Sequence, residues 1–231
     1  MGKDKLKRYA EVLEFSNVLQ PNFEEVKKGL LLKGNWNKDY FKNNNPVVVE
    51  LGCGGGEYTV GLAQYFKDKN FIGVDIKGAR IWKGAKIALS NNLKNVAFVR
   101  TRIEFIENVF ANNEVDEIWI TFPDPQPKKS KAAQRLTSPE YIERYKNIIK
   151  KNGIINFKTD NTDLFNYSLD VIAENKHQLI ASTPDLYTSL EEINNPLHQE
   201  KEILSIPTFY EQKFRKLGAK ICYLRLKIYC I

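Results

Sequence analysis

Residues 47–56 read VVVELGCGGG, and this stretch decides the fold. The run Val47–Leu51 is short, apolar and rich in β-branched side chains, which is typical of a buried strand. The glycines that follow allow a tight turn and a close approach of the backbone to a ligand. Residues 58–66 then repeat apolar side chains at helical spacing. The stretch therefore predicts a strand, a glycine turn and a helix.

The same alternation of strand and helix continues as far as residue 174. Further apolar runs of strand length lie at 71–75, 96–99, 115–120 and 154–157, each followed by a helical pattern. Residues 178–182 and 220–229 are typical of two more strands, joined by a long loop. We therefore predict an α/β fold with a doubly wound, mostly parallel, seven-stranded sheet and an antiparallel edge. The domain is predicted to span residues 46–231, after a basic N-terminal arm over residues 1–45 in which the first ten residues carry little structure.

The glycine turn predicts a ligand that has no phosphate at this position. A dinucleotide fingerprint needs a third glycine at the place where this chain has Glu57, and a carboxylate at a helix N-terminus repels a pyrophosphate. Asp75 ends the next strand and can accept hydrogen bonds from two ribose hydroxyls, while Glu50 can face an ammonium group. A ribose, an amino acid and no phosphate describe S-adenosylmethionine, so we predict a methyltransferase. A nicotinamide dehydrogenase is disfavoured by Glu57.

A second informative stretch, FPDPQPKK at 122–129, follows the strand at 115–120. Open α/β sheets bind their ligands at this end of the strands. Three prolines restrict the residues that precede them, and we expect them to hold the loop extended and to present Asp124 rigidly. Lys128 and Lys129 directly follow the last of these prolines and are suited to contact phosphates.

The charge pattern favours an acidic partner. The chain has 231 residues and a net charge of +7. Basic side chains concentrate at 124–151 and after Glu211, where no acidic residue follows. Such concentrated charge is typical of nucleic-acid binding.

Other features narrow the class of protein. The N-terminus is charged and no apolar run approaches the roughly 18 residues of a membrane span, so we expect neither a secretory signal nor a membrane anchor. Cys53, Cys222 and Cys230 lack CxxC spacing, and His177 and His198 are too few for a histidine-rich metal centre. We therefore expect no metal and a cytoplasmic location.

With these motifs the chain resembles the bacterial tRNA (guanine-N7)-methyltransferases. The resemblance runs from about residue 15 to the C-terminus and is carried by ELGCGGG (50–56), GVDIK (73–77), FPDPQPKK (122–129), RLTSPEY (135–141), FKTDNTDLF (157–165) and TFYEQKF (208–214). The chain departs from the common pattern at Gln126, where Trp is frequent, and at Arg102, where an acid or Asn often meets the adenine. It also lacks the Arg/His-rich run that often precedes Arg135.

The resemblance implies a Rossmann-like class I methyltransferase that uses S-adenosylmethionine to methylate N7 of the variable-loop guanine, position 46, of tRNA. It implies a catalytic Asp124 and a cofactor site of Glu50, Gly52, Gly54, Asp75, Arg102 and Asp124. It implies that substrate contacts come from Lys128, Asp160, Thr208, Phe209, Tyr210 and Glu211. The enzyme is expected to be a monomer or a homodimer.

The chemistry is compatible with these residues. Guanine N7 has a lone pair and no proton, so no base is needed to create the nucleophile. Asp124 and Asp160 are expected to lie close together, one accepting hydrogen bonds from the donor edge of guanine and the other stabilising the developing positive charge. Phe122 and Tyr210 are candidate stacking groups for an unstacked base. Lys158 is interpreted either as an exposed lysine at a strand end or as a functional residue.

Two alternatives remain open from the sequence. An amino-group methyltransferase acting on adenine or cytosine would carry Asp/Asn-Pro-Pro-aromatic at this strand end, whereas here Asp124-Pro125 is followed by Gln126-Pro127. A non-catalytic RNA-binding module on the same scaffold would tolerate the loss of Glu50, the glycines or Asp75, and all of them are present.

Overall fold

The computed structural model describes residues 3–228, and one eight-stranded sheet runs through this part of the chain. Its strands are β1 (Val18–Leu19), β2 (Val47–Leu51), β3 (Asn70–Asp75), β4 (Val96–Arg100), β5 (Val115–Thr121), β6 (Ile149–Thr159), β7 (Gln178–Thr183) and β8 (Cys222–Lys227). Their order is β1-β4-β3-β2-β5-β6-β8-β7. Strands β1 to β6 pair in parallel, and β8 runs antiparallel between β6 and β7.

Helices surround the sheet. The α-helices are α1 (Lys3–Leu13), α2 (Phe23–Lys28), α3 (Glu57–Tyr65), α4 (Gly78–Ser90), α5 (Ile106–Val109), α6 (Pro139–Ile148), α7 (Thr162–Glu174), α8 (Leu186–Glu191), α9 (Lys201–Leu204) and α10 (Phe209–Lys216). A π-helix spans Trp36–Phe41, and 3₁₀-helices span Ile103–Phe105, Lys129–Gln134 and Pro196–Glu200. Two apolar cores result: α5, α6 and α7 contribute to one, and α3 and α4 contribute to the other.

The predicted fold class is confirmed, and the sheet has eight strands rather than the predicted seven. Every residue of β2 and of β3 is buried, which accounts for their continuous apolar runs. The extra strand, β1, lies in the arm, where Val18 pairs with Phe98 and Leu19 with Val99 of β4. Two residues of strand are too short to leave a periodic pattern in the sequence.

The N-terminal arm packs on the body of the protein more closely than its sequence suggests. Trp36 is fully buried, and its ring N–H donates to the carbonyl of Val109 at 3.0 Å. Helix α1 forms where little structure was predicted, because Val12 is buried and Glu11 accepts a 2.7 Å hydrogen bond from the ring N–H of Trp82. The division of the chain at residue 46 stays a prediction.

Most of the remaining predicted strands lie close to their expected bounds, but β6 (Ile149–Thr159) extends well beyond the predicted 154–157. Ser138 caps α6, as its sequence position predicts, by accepting from the backbone N–H of Tyr141. The strand predicted over 220–229 is β8, and Tyr229 and Cys230 lie outside the described residues. Between residues 3 and 228, no helix combines the length and the apolarity that crossing a membrane requires. The same part of the chain contains no group of three or more His, Cys, Asp or Glu side chains arranged to hold a metal ion.

Candidate active site

A groove of about 1050 Å³ opens at the carboxyl ends of the central strands. We call one part of its wall the glycine side (residues 52–55, 75–77, 79–80 and 101–104) and another part the proline side (residues 121–126, 160–161, 208–210 and 214). The glycine side follows β2, β3 and β4, whereas most of the proline side follows β5 and β6. Because parallel strands end at the same edge of the sheet, one groove collects residues that lie far apart in the sequence.

The glycine turn leaves free space where side chains would otherwise stand. Gly52 has φ +74° and Gly54 has φ +56°, both in the left-handed region that favours glycine. A Cβ atom added at Gly52 would meet no atom within 4 Å, and one at Gly54 would meet only the carbonyl oxygen of Gly52, at 4.0 Å. Both positions line the groove, so the turn forms a cradle that side chains would fill.

Asp75 orders this cradle. One carboxylate oxygen accepts the backbone N–H of Gly54 at 2.9 Å, and the other accepts that of Lys77 at 2.7 Å. The side chain is mostly buried and lines the groove. A carboxylate oxygen can accept more than one hydrogen bond, so Asp75 retains capacity for the hydroxyls of a ligand.

Glu50 does not face the groove, in contrast to the prediction that it meets a ligand's ammonium group. Its side chain is 3% exposed. One oxygen accepts the backbone N–H of Thr59 at 2.8 Å and the Thr59 hydroxyl, and the other accepts the Thr121 hydroxyl at 2.7 Å. Burial raises the pKa of this carboxyl to about 7, although the three hydrogen bonds act in the opposite direction. Glu50 therefore holds the first turn of α3 against β5.

The loop at the centre of the proline side turns more sharply than its prolines predict. Phe122 has φ +50° and Gln126 has φ +44°, so neither adopts the expected extended backbone. The N–H of Phe122 donates to the carbonyl of Lys158 at 2.8 Å. The guanidinium of Arg135 donates twice to the carbonyl of Gln126, at 3.2 and 3.3 Å. These contacts from β6 and from the segment before α6 hold the two left-handed residues in place.

Asp124 and Asp160 both line the groove from this side, as the sequence predicts. Asp124 is exposed, and its carboxylate accepts the backbone N–H of Gln126 at 3.1 Å. Asp160 is half-buried, and burial raises its pKa. The register pair Thr121–Lys158 joins β5 to β6 just before the two aspartates. The sheet therefore delivers both carboxylates to one wall.

The segment Thr208–Glu211 supplies three of its four predicted residues to the proline side. Thr208 is buried and caps α10 by accepting the N–H of Glu211 at 3.1 Å. Phe209 is 62% exposed and Tyr210 half-buried, and both line the groove. Glu211 does not line it: the side chain is 1% exposed and pairs with Lys158 at 2.7 Å. Its predicted contact with substrate does not match this geometry.

Of three further basic residues singled out in the sequence, one lines the groove and two do not. Lys158 is fully buried, neither exposed nor part of the groove lining. Lys128 is exposed and lies outside the lining, immediately before the 3₁₀-helix Lys129–Gln134. Arg102 does line the groove, on the glycine side, where it pairs with Glu104 at 2.7 Å.

The carboxylates predicted for the site suggest an acidic groove, but the groove also contains basic side chains. Basic side chains from α1, α4 and the residue before α4 line it too: Arg8, Lys77, Arg80 and Lys83. Sequence reasoning missed Arg8, Arg80 and Lys83 because they lie outside every motif, and it gave no role to Lys77, the last residue of GVDIK. It also missed Phe214, whose ring stacks at 6.1 Å on Tyr210 and at 6.4 Å on Phe122. Their helical spacing on α10 (i, i+4) is the only available signal for the Tyr210–Phe214 contact.

The two basic stretches divide into paired and unpaired side chains. In the first, Arg144 pairs with Glu107, Lys146 with Glu143 and Lys150 with Asp116, whereas Lys128, Lys129 and Lys131 have no ion pair among the described residues. In the second, Lys220 pairs with Asp185 and Arg225 with Glu200, and Arg215 lies 3.4 Å over the Tyr187 ring. The candidate phosphate contacts therefore reduce to the lysines at 128–131 and the basic residues of α10.

Comparison with known proteins gives consistent results. Residues 44–224 match a family model described as "Putative methyltransferase". A protein of Christiangramia forsetii named tRNA (guanine-N(7)-)-methyltransferase is 48% identical, over 98% of this chain and 99% of its own. Proteins with the same name from Bacteroides fragilis (47% identical, over 97% of this chain and 86% of their protein) and Clostridium novyi (38%, over 90% and 92%) are also similar.

Solved structures support the fold. A structure described as an antibiotic-related methyltransferase superposes with a TM-score of 0.62 at 16% identity, covering 89% of this chain and 98% of that one. The 16S rRNA methyltransferase KamB superposes with a TM-score of 0.60 at 13% identity, covering 84% and 92%. At these identities the likeness concerns the fold alone.

Proposed function

The chain belongs to the family of the tRNA (guanine-N(7)-)-methyltransferases, and from that premise we propose that it transfers a methyl group from S-adenosylmethionine to N7 of a guanine in tRNA. The target we propose is the variable-loop guanine at position 46. The enzyme is expected in the cytoplasm, as a monomer or a homodimer. The observation that carries the proposal is one groove that is lined by a glycine cradle with Asp75 and also by Asp124 and Asp160.

The glycine side fits S-adenosylmethionine. The groove volume of about 1050 Å³ is large enough for a cofactor together with a nucleobase. The open space at Gly52 and Gly54 allows a ligand to approach the backbone, and Asp75 can accept from two ribose hydroxyls. Arg102 lies further along the same wall, at the position that the resemblance assigns to the adenine. When bound, S-adenosylmethionine supplies an electrophilic methyl group on a sulfonium.

The residues of the groove suit a reaction that needs no protein nucleophile. Guanine N7 carries a free lone pair, so the protein must chiefly align it, and alignment can supply much of the rate acceleration. Cys53 is a lining thiol, but burial raises its pKa well above the usual value, and the carboxylates of Glu50 and Asp75 raise it further. The thiol therefore stays protonated at neutral pH.

The two aspartates can recognise guanine and stabilise its charge. The N1–H and N2–H₂ groups of guanine are donors, and an ionised carboxylate accepts. We assign Asp124 to the reacting centre, where a negative charge stabilises the positive charge that N7 alkylation places on the purine. We assign Asp160 to the donor edge of the base. Phe209 and Tyr210 provide aromatic surface at the rim for a base that has left its stack.

The unpaired lysines at 128, 129 and 131 and the basic residues of α10 are proposed to contact the tRNA backbone. The lysines follow the loop 121–126, and the basic residues of α10 lie in the last turn of that helix. Both groups are therefore next in sequence to segments of the proline side. Contacts of this kind position the RNA and make its affinity depend on salt.

The proposal is tested by identifying the methylated nucleoside. The full-length protein is incubated with an unmodified tRNA transcript and methyl-labelled S-adenosylmethionine, and the RNA is digested and analysed by mass spectrometry. We expect N7-methylguanosine at position 46, and no label in a transcript in which that guanine is replaced by adenine. A label in N-methyladenosine or N-methylcytidine would favour the amino-group methyltransferase. No transfer to tRNA, with cofactor binding intact, would contradict the proposal.

A further inference from the structure

Helix α10 is attached to the protein by a charged residue. Glu211 is the one buried side chain of α10 (Phe209–Lys216). The other contacts of the helix are aromatic or cationic: the Phe214–Phe122 stack, Arg215 over Tyr187, and Arg80 5.9 Å over Tyr210. An amphipathic helix normally docks through a buried apolar stripe, whereas the buried residue of α10 is charged. The position of α10 therefore depends on Glu211.

The partner of Glu211 is Lys158, in β6. The ammonium of Lys158 lies 2.7 Å from the Glu211 carboxylate, and exposure is 0% for the lysine and 1% for the glutamate. Lys158 also donates to the carbonyl of Leu204 at 2.7 Å, and Glu211 accepts the Tyr187 hydroxyl at 3.1 Å. Burial lowers the pKa of Lys158, and the nearby carboxylate opposes that change.

Lys158 is also joined to the loop that carries Asp124. Its carbonyl accepts the N–H of Phe122 at 2.8 Å, and its ammonium lies 5.9 Å from the centre of the Phe122 ring. Asp160 follows two residues later in the chain. One residue thus contacts α10 through its side chain and the 121–126 loop through its backbone.

We propose that Lys158 and Glu211 are positioning residues for methyl transfer: their buried pair holds α10 against the strand β6, so that Thr208, Phe209 and Tyr210 face the same groove as Asp124. This inference rests on the proposed function, because the groove is taken as the place where tRNA is methylated. It assigns Glu211 a role inside the protein, in place of the substrate contact that the family resemblance implies.

The geometry disfavours direct contact between Glu211 and a substrate in the groove. One oxygen of Glu211 holds both Lys158 and Tyr187, and the other is buried without a hydrogen-bond partner among the described residues. To reach a nucleotide in the groove, the carboxylate would have to leave Lys158 uncompensated in the interior. Breaking a buried pair by removing one partner is far more costly than replacing both partners by apolar side chains of similar size.

That asymmetry provides the test. Lys158→Met, Glu211→Met and the double variant are compared with the wild type for turnover on tRNA and for binding of S-adenosylmethionine. We expect each single variant to lose about 100-fold in kcat while the cofactor dissociation constant changes less than about threefold, because the glycine side is untouched. The double variant should be at least about tenfold faster than either single variant.

Direct contact predicts the opposite result. If Glu211 binds substrate, the double variant lacks that carboxylate and will be no faster than Glu211→Met. That result would overturn the proposal, as would full activity in both single variants. Gln212→Met, on the exposed face of the same helix, serves as the control and should match the wild type.

Amide hydrogen exchange tests this inference without measuring methyl transfer, so its result does not depend on the proposed function. A second variant is used if the first does not fold. Glu211→Gln keeps the size of the side chain and removes its charge, and it replaces Glu211→Met if that variant does not fold. In either variant we expect faster amide exchange in 121–126 and 209–216, unchanged exchange in α4, and recovery in the double variant. Unchanged exchange in both segments would overturn the inference. Absence of methyl transfer in the wild type would contradict the proposed function alone.

Discussion

The two sides of the groove are built in different ways. The glycine side is held by hydrogen bonds from backbone N–H groups to Asp75, and its central part comes from one strand–turn–helix unit and the end of the next strand. The proline side combines the loop 121–126, Asp160 and the start of α10, and it is held by the Lys158–Glu211 pair and stacked rings. The first wall comes from segments within residues 52–104, whereas the second is assembled from segments spread over residues 121–214.

This difference suggests a division of labour. A wall fixed by backbone hydrogen bonds is suited to bind the same small molecule in every reaction cycle. A wall joined by side chains of separate segments is suited to receive a large partner, because its parts can adjust. We therefore expect substitutions on the glycine side to change cofactor affinity and substitutions on the proline side to change transfer to tRNA.

The largest effect is expected from Asp124→Ala. We predict that kcat on tRNA falls at least about 100-fold, or about 2.7 kcal/mol, because the charge beside the reacting centre is lost. Single-turnover transfer of a labelled methyl group measures it, and Asp170→Ala, an exposed acid on α7, is the control. A variant that keeps more than about a tenth of the wild-type rate would show that Asp124 is not central.

A smaller effect, of a different kind, is expected from Asp75→Ala. The substitution removes the acceptor of the Gly54 and Lys77 N–H groups together with the proposed ribose contact. We predict that the dissociation constant of S-adenosylmethionine rises about 30-fold, equivalent to about 2 kcal/mol, while tRNA affinity changes less than about twofold. Isothermal titration calorimetry measures the first quantity and filter binding the second. Equal losses for both ligands would contradict the division between the two sides.

The basic residues beside the proline side should change tRNA affinity about tenfold. In the variant Lys128→Gln, Lys129→Gln, Lys131→Gln, we expect weaker tRNA binding at physiological salt and a slope of log affinity against log salt that is shallower by about 2. The matched control, Lys146→Gln with Lys150→Gln, removes lysines that are already paired and should leave the slope nearly unchanged. If both variants changed the slope equally, the assignment to the lysines at 128–131 would be wrong.

The smallest effect on function is expected at Glu50, beneath the glycine side, because this carboxyl acts on stability and contacts neither ligand. Its pKa of about 7 in the folded protein exceeds the usual value of 4.5, so the folded state binds the proton more tightly than the unfolded chain. The resulting stabilisation is complete below about pH 4.5 and is lost as the pH rises through about 7. Relative to Glu50→Gln, the wild type should lose about 2.5 kcal/mol of unfolding free energy between pH 5 and pH 8. Urea unfolding of both proteins at the two pH values measures it, and a wild type that gains stability relative to Glu50→Gln as the pH rises would contradict this sign.

The glycine side could largely be predicted from the sequence, and the proline side only in part. The turn and Asp75 follow from strand and glycine patterns within a short stretch, and the structure places both in the groove. The sequence places Glu50 in a ligand-binding motif but does not show which groups its carboxylate contacts. Those groups are on Thr59 and Thr121, and their hydrogen bonds turn the side chain into the interior.

On the proline side the motifs indicate the right segments, but their contacts depend on the tertiary fold. Lys158 and Glu211 lie more than 50 residues apart, and neither shows in the sequence that it is buried. The same holds for Arg135 of the RLTSPEY motif, whose guanidinium donates to the carbonyl of Gln126. Charged residues in motifs can stabilise a site as well as act in it, and only the packing distinguishes the two roles.

The most direct test of the divided groove is hydrogen exchange on the wild-type protein, first with S-adenosylhomocysteine alone and then with tRNA added. We predict that the cofactor product slows exchange in residues 52–57 and 75–80, and that tRNA then slows exchange in 158–162 and 208–216. The reverse order, or protection by tRNA confined to segments outside the groove, would contradict the account.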